Sequence, residues 1–163
     1  MSLSVPALLE AAVEASPDGR IEVGAGCYLT VVALDRHSRA AAGALLAAGY
    51  GQGTVVRVAP EPGPERAIGL LAAWRIGLVV SDDPDAPQPR ALELPSLQVD
   101  HENLRRVAES RVWSQTPAAV TNDAVVLTHA DIVSSLNLGD GAIPAVQALA
   151  RYPSDSPTTS EPS

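Results

Sequence analysis

A twice-repeated unit of helix, glycine turn and strand limits this chain more than any other feature. Leu34 to Ala48 is rich in alanine and leucine, with Arg36 and Arg39 marking a solvated side and Asp35 placed as a first-turn acid. Glycines in GYGQG, Gly49 to Gly53, suit its C-terminal cap, and TVVRVA, Thr54 to Ala59, then reads as a buried strand. After the proline-rich loop Pro60 to Pro64 the unit recurs, with a helix over Glu65 to Ile76 and a strand over Gly77 to Val80. Apolar strands alternating with helices are the signature of an α/β fold with a parallel sheet.

The flanks fill out a layered, mostly parallel sheet with flanking helices and a short N-terminal β-hairpin. Pro6 to Ala15 places Leu8, Leu9, Ala12 and Val13 at helical spacing, and SPDG, Ser16 to Gly19, ends that helix. Ile21 to Val23 and Tyr28 to Val32 flank a glycine pair and read as the hairpin. Downstream, Ser81 to Arg90 is an acidic, proline-rich loop, Leu94 to Val99 is placed as a strand, and His101 to Glu109 as a polar helix. Ala118 to Val120 and Ala124 to Thr128 are short β-like runs, followed by a helix over Ala130 to Leu138 with Asp131 in its first turn. Residues 1–150 form one domain, and the Pro/Ser/Thr tail at 151–163 is expected to be disordered, being too poor in apolar residues to bury a core. The expected core comprises Leu8, Leu9 and Val13; Leu45 and Leu46; Val55, Val56 and Val58; Ile68, Leu71 and Trp74; Leu78 and Val79; and Val125, Val126 and Leu127.

Charge and residue usage exclude several functions. The 163 residues carry 11 basic and 19 acidic side chains, a net −8, which opposes binding to nucleic acid or an anionic membrane. Every basic residue is arginine, so Schiff-base and P-loop-lysine chemistry has no donor here. Cys27 stands alone and reads as a half-buried inert thiol, with no disulfide partner and no cysteine cluster for a metal. His37, His101 and His129 fall at no metal-ligand spacing and read as surface or half-buried side chains. Asp82, Asp83 and Asp85 match no calcium loop and read as an acidic turn. Neither a G-x-S-x-G elbow nor a G-x-G-x-x-G fingerprint occurs. Glu10 and Glu14 interrupt the N-terminal apolar run, and no apolar stretch approaches the roughly 20 residues of a membrane span. A soluble, cytoplasmic protein is expected.

Two segments resemble the adenylate-forming superfamily of AMP-dependent synthetases, acyl-CoA ligases and adenylation domains of nonribosomal peptide synthetases. The family opens with a helix, a P-D turn, a hairpin and a helix of the form R-x-x-x-L-A-x-x-L-x-x-x-G-V-x-x-G-D-x-V, against LTVVALDRHSRAAAGALLAAGYGQGTVV here. Its next helix and strand, A-x-L-A-x-x-x-A-G-A-V-x-V-P-L-D-P, are similar to ERAIGLLAAWRIGLVVSDDPDAP. Its phosphate loop, Y-T-S-G-T-T-G-x-P-K-G-V-x-L-T-H, has a counterpart in TPAAVTNDAVVLTHADIVSSL, Thr116 to Leu136. The flanks PAAV and VVLTHADIV fit the pattern. Between them Thr121, Asn122 and Asp123 replace the Gly/Ser/Thr-rich segment and its lysine, with no cation and an acid that repels phosphate.

The resemblance spans most of Pro6 to Leu138 and implies a truncated N-terminal α/β portion of such an enzyme. With its phosphate loop degenerate at Thr121, Asn122 and Asp123, it implies a non-catalytic chain with no cofactor and no metal, acting through protein–protein interaction. The partner would be a second copy of the chain, or another protein such as a biosynthetic enzyme, covering the sheet. The alternative is one piece of a split adenylate-forming ligase completed by another chain. His129 falls on the histidine after the loop and is placed as a surface residue at a helix N-terminus, with no catalytic role assigned.

Overall fold

Ser4 starts the first helix, α1 (Val5–Ala15), from an extended conformation in which its Oγ accepts the Ala7 N–H at 3.3 Å. The computed structural model describes residues 4–89, 101–110, 112–121, 124–136 and 142–152. Chain reversal after α1 leads to an antiparallel hairpin of β1 (Arg20–Gly24) and β2 (Cys27–Thr30), with Ile21 opposite Leu29 and Glu22 opposite Tyr28. Thr30 then caps α2 (Val31–Ala47), its Oγ1 accepting the Ala33 N–H at 3.1 Å. That cap pulls Val31 and Val32, read from sequence as strand, into the helix. It also moves Asp35 out of the first turn.

The two repeated units are present, and both helices end the same way. After α2, the Gly49 N–H donates to Leu46 O and the Tyr50 N–H to Leu45 O, both at 3.0 Å, with Gly49 at φ +98°. After α3 (Pro64–Arg75), the Leu78 N–H donates to Ala73 O at 2.9 Å, with Gly77 at φ +80°. These are Schellman caps, which need a left-handed residue after the helix. Gly77 is doubly required, because a Cβ there would sit 2.8 Å from Gln52 Cγ.

Each cap turns the chain into the main sheet. Its order is β3 (Val55–Val56), β4 (Val79–Ser81), β5 (Pro117–Val120), β6 (Val126–Thr128); the first three run parallel and β6 antiparallel to β5. The expected strand Thr54–Ala59 shrinks to two residues, since the Arg57 N–H turns to the loop carbonyl of Pro87 at 2.7 Å. The polar helix α4 (His101–Glu109) follows the sequence reading, and it packs on α2. The short helix α5 (His129–Ser134) begins one residue before its expected start; the expected strand Leu94–Val99 and residues 137–138 lie outside the described residues.

Sequence periodicity gave no sign of the last helix, α6 (Ala142–Ala150). It buries Ala145, Val146, Leu149 and Ala150 against α1, α3 and β1. Pro144 is tolerated because it falls in the first turn, where its missing N–H costs no helical bond. Arg151 and Tyr152, assigned to the tail, are described, and Tyr152 packs edge-on against Trp74 at 5.4 Å; residues 153–163 lie outside the described set.

The core lies around α3, which is buried continuously from Arg66 to Arg75. Most of the expected core is there, including Leu8, Leu9, Leu45, Val56, Val58, Ile68, Leu71, Trp74, Leu78 and Val79. Three expected members are instead exposed, Val55 at 40%, Val125 at 53% and Val126 at 55%. They lie on β3 and beside or within β6, the two edges of the sheet, where a β-rich sequence lacks a neighbour on one side. Val13, Leu46 and Leu127 are only partly buried. Among the described residues no helix is long and apolar enough to cross a membrane.

Candidate functional site

The segment between β5 and β6 holds Thr121, Asn122 and Asp123, whose flanks resemble those of a phosphate loop in sequence. Val120 pairs with Val126, and the next step of the ladder is closed by the Thr121 N–H donating to Val125 O at 2.9 Å. The Ala124 N–H donates to Thr121 O at 2.9 Å, and Thr121 Oγ1 accepts the Val125 N–H at 3.1 Å. Only two residues, Asn122 and Asp123, separate Thr121 from Ala124, and both lie outside the described residues. Ala124 sits at φ +64°, a left-handed residue finishing a short hairpin turn. The backbone groups at this turn's ends therefore bond to each other. Thr121 is exposed, and its hydroxyl is engaged by the turn itself.

His129 follows directly and corrects the sequence reading, for it is fully buried rather than on the surface. A capping box at Thr128 and Asp131 starts α5: Thr128 Oγ1 accepts the Asp131 N–H at 3.1 Å, and Asp131 Oδ2 accepts the Thr128 N–H at 2.9 Å. The His129 N–H donates to Thr116 O at 3.0 Å, which fixes its backbone against the segment entering β5. The ring Nδ1 accepts the N–H of Val5 at 3.1 Å, so the proton of the neutral ring sits on Nε2, which is buried without a partner among the described residues. Burial pushes the imidazole down to a pKa of about 4. A neutral ring holding the start of α1 is a structural tie.

A second polar group, missed in sequence, joins the two repeats. Asp35, expected as a first-turn acid, lies beyond the first turn of α2 and is buried, and it accepts hydrogen bonds from Arg75 and, at 2.7 Å, from Arg39. Arg75 Nε donates to Ser38 Oγ at 3.0 Å. Desolvation lowers the Arg75 pKa, with Asp35 opposing that shift. The i, i+4 spacing of Asp35 and Arg39 was visible in sequence; the Arg75 partner, 40 positions away, was not.

The remaining candidates stay apart. His37 is exposed on α2, and the His101 side chain lies outside the described residues. Asp83 and Asp85 form a local turn, with the Asp85 N–H donating to Asp83 Oδ1 at 2.9 Å and the Asp83 N–H to Ser81 Oγ at 3.0 Å. Cys27 is half-buried and free. Among the described residues no three His, Cys, Asp or Glu side chains gather where a metal could be held.

No family model matches the sequence, and no curated protein does. Solved structures do match. The nonribosomal peptide synthetase FmoA3 superposes with a TM-score of 0.66 over 93% of this chain and 22% of its own, at 14% identity. The fatty acyl-adenylate ligase of L. pneumophila, solved with acyl adenylate and pyrophosphate, gives 0.60 over 82% of this chain and 32% of its own, at 15% identity. The N-terminal subdomain of Klebsiella oxytoca NpsA, solved with 3-hydroxybenzoyl-AMSN, gives 0.55 over 83% of this chain and 44% of its own, also at 15% identity.

The chain has the fold of the N-terminal subdomain of adenylate-forming enzymes. It spans less than half the length of these three neighbours.

Proposed function

We propose that this adenylation-type subdomain does not itself hold ATP and acts as a non-catalytic protein-interaction module. The observation that carries the reading is the β5–β6 turn, in which Thr121 bonds to both Ala124 and Val125. Phosphate binding at such a loop needs free backbone N–H groups, supplied by glycines, and a cation. The segment Thr121 to Val125 has neither glycine nor cation, and Asp123 adds a negative charge. The exposed Val125 and Val126 at the β6 edge favour a protein partner, either a second copy of the chain or another protein such as a biosynthetic enzyme.

Calorimetric titration with ATP·Mg and with a non-hydrolysable acyl-adenylate mimic tests the reading. The expected result is no saturable heat at about millimolar ligand. Saturable binding would overturn it and bring forward the alternative, one part of a split ligase completed by another chain. Sedimentation of the pure chain tests the self-association arm, with a dimer expected for a second copy and a monomer for a different partner.

A further inference from the structure

A cavity of about 510 Å³ opens between α1 and α4, floored by residues of α2 and α3. That volume falls within the range of small-molecule sites. Arg39, Arg75 and Arg105 line it together with Glu10, and Leu104 and Val107 supply apolar wall. None of the described residues of the β5–β6 turn contributes.

The charge balance of this cleft runs against that of the molecule. The chain as a whole carries −8. Here three guanidiniums meet two carboxylates, Glu10 on the wall and Asp35 behind it. Asp35 is shared between Arg75 and Arg39, so one negative charge faces two positive ones. Arg105 is exposed and makes no ion pair or hydrogen bond among the described residues. Desolvation by burial lowers the Arg75 pKa, and Asp35 and Glu10 oppose that shift. The start of α1 adds the positive end of a helix dipole, with no acid in its first turn. Its donors are already used, the Val5 N–H by His129 and the Ala7 N–H by Ser4, so the helix lends field and the arginines lend hydrogen bonds.

We propose that the cleft between α1 and α4 binds a small organic oxyanion, its carboxylate or phosphate head held by Arg39 and Arg105 above buried Arg75 and its apolar body against Leu104 and Val107. The planar guanidinium fork matches either head group. The proposal stands independently of whether the β5–β6 turn holds ATP.

The test is titration of the whole chain at low ionic strength with phenylacetate, phenyl phosphate and the neutral benzyl alcohol. Variants are Arg105→Ala, Arg39→Ala and, as a control, the exposed Arg36→Ala, which does not line the cleft. At least one anion should bind saturably, and the tighter one identifies the head group. Arg105→Ala and Arg39→Ala should each weaken that binding roughly tenfold or more, with Arg36→Ala unchanged. Arg105 is exposed and the Arg39 side chain nearly half so, and a cooperative melt within a few degrees of the parent, about what a loss under 1 kcal/mol allows, will show that both variants fold. The proposal is overturned if neither anion binds at about 10 mM, if benzyl alcohol binds as well, or if Arg36→Ala weakens binding as much as Arg105→Ala.

Discussion

His129 and Val5 stand 124 positions apart, yet the imidazole Nδ1 accepts the first N–H of α1 at 3.1 Å. A helix start must place its N–H groups somewhere. Here one of them goes to a fully buried ring from the other end of the fold.

Burial of the His129 ring makes stability depend on pH. The folded-state pKa is about 4, below the usual 6.5. The unfolded chain therefore binds the proton more readily, and stability is complete above about pH 6.5 and declines as pH falls toward 4. The loss is on the order of 3 kcal/mol across that window. Urea unfolding between these pH values should show it, and His129→Gln should flatten the profile over the same range. A profile as steep in the variant as in the parent would assign the effect to other groups.

The buried Asp35–Arg75 pair should respond asymmetrically to substitution. Asp35→Asn leaves Arg75 charged and under-paired in the core, at a cost of about 3–5 kcal/mol. Arg39→Ala removes a half-exposed partner of the same carboxylate and should cost less than about 1 kcal/mol. Denaturant midpoints of the two variants compare these directly; equal losses would contradict the assignment.

Trp74 is fully buried and its Nε1–H donates to Ala118 O at 2.9 Å, linking α3 to β5. Trp74→Phe removes that hydrogen bond and part of the packed indole volume, and should destabilise by about 1–3 kcal/mol. The second tryptophan, Trp113, is 62% exposed. Fluorescence of Trp113→Phe should be blue-shifted and resistant to acrylamide, whereas Trp74→Phe should leave a red-shifted, readily quenched emission.

Ala124 holds a left-handed conformation at the end of the β5–β6 turn. Ala124→Gly relieves that strain and should raise stability by roughly 1 kcal/mol. A thermal melt reads the change, and a lower midpoint would show that the turn adopts another geometry in solution.

The helix–glycine–strand repeats were legible because each carries its own local signals. Ala- and Leu-rich helices, glycine after the last turn and an apolar strand act over a few residues, and Gly49 and Gly77 do what their positions suggest. Helix α6 was not legible, because its burial depends on α1, α3 and β1 being already in place.

Local chemistry along the chain was enough to specify the α/β class and the two helix–glycine–strand units. Which side chains are inside was settled by the tertiary structure. A strand-like run at Val125 and Val126 is exposed because β6 ends the sheet, whereas His129 and Asp35 are buried because partners lie 124 and 40 positions away. Burial and long-range pairing are properties of what surrounds a residue in space, and no periodicity over neighbouring residues encodes that.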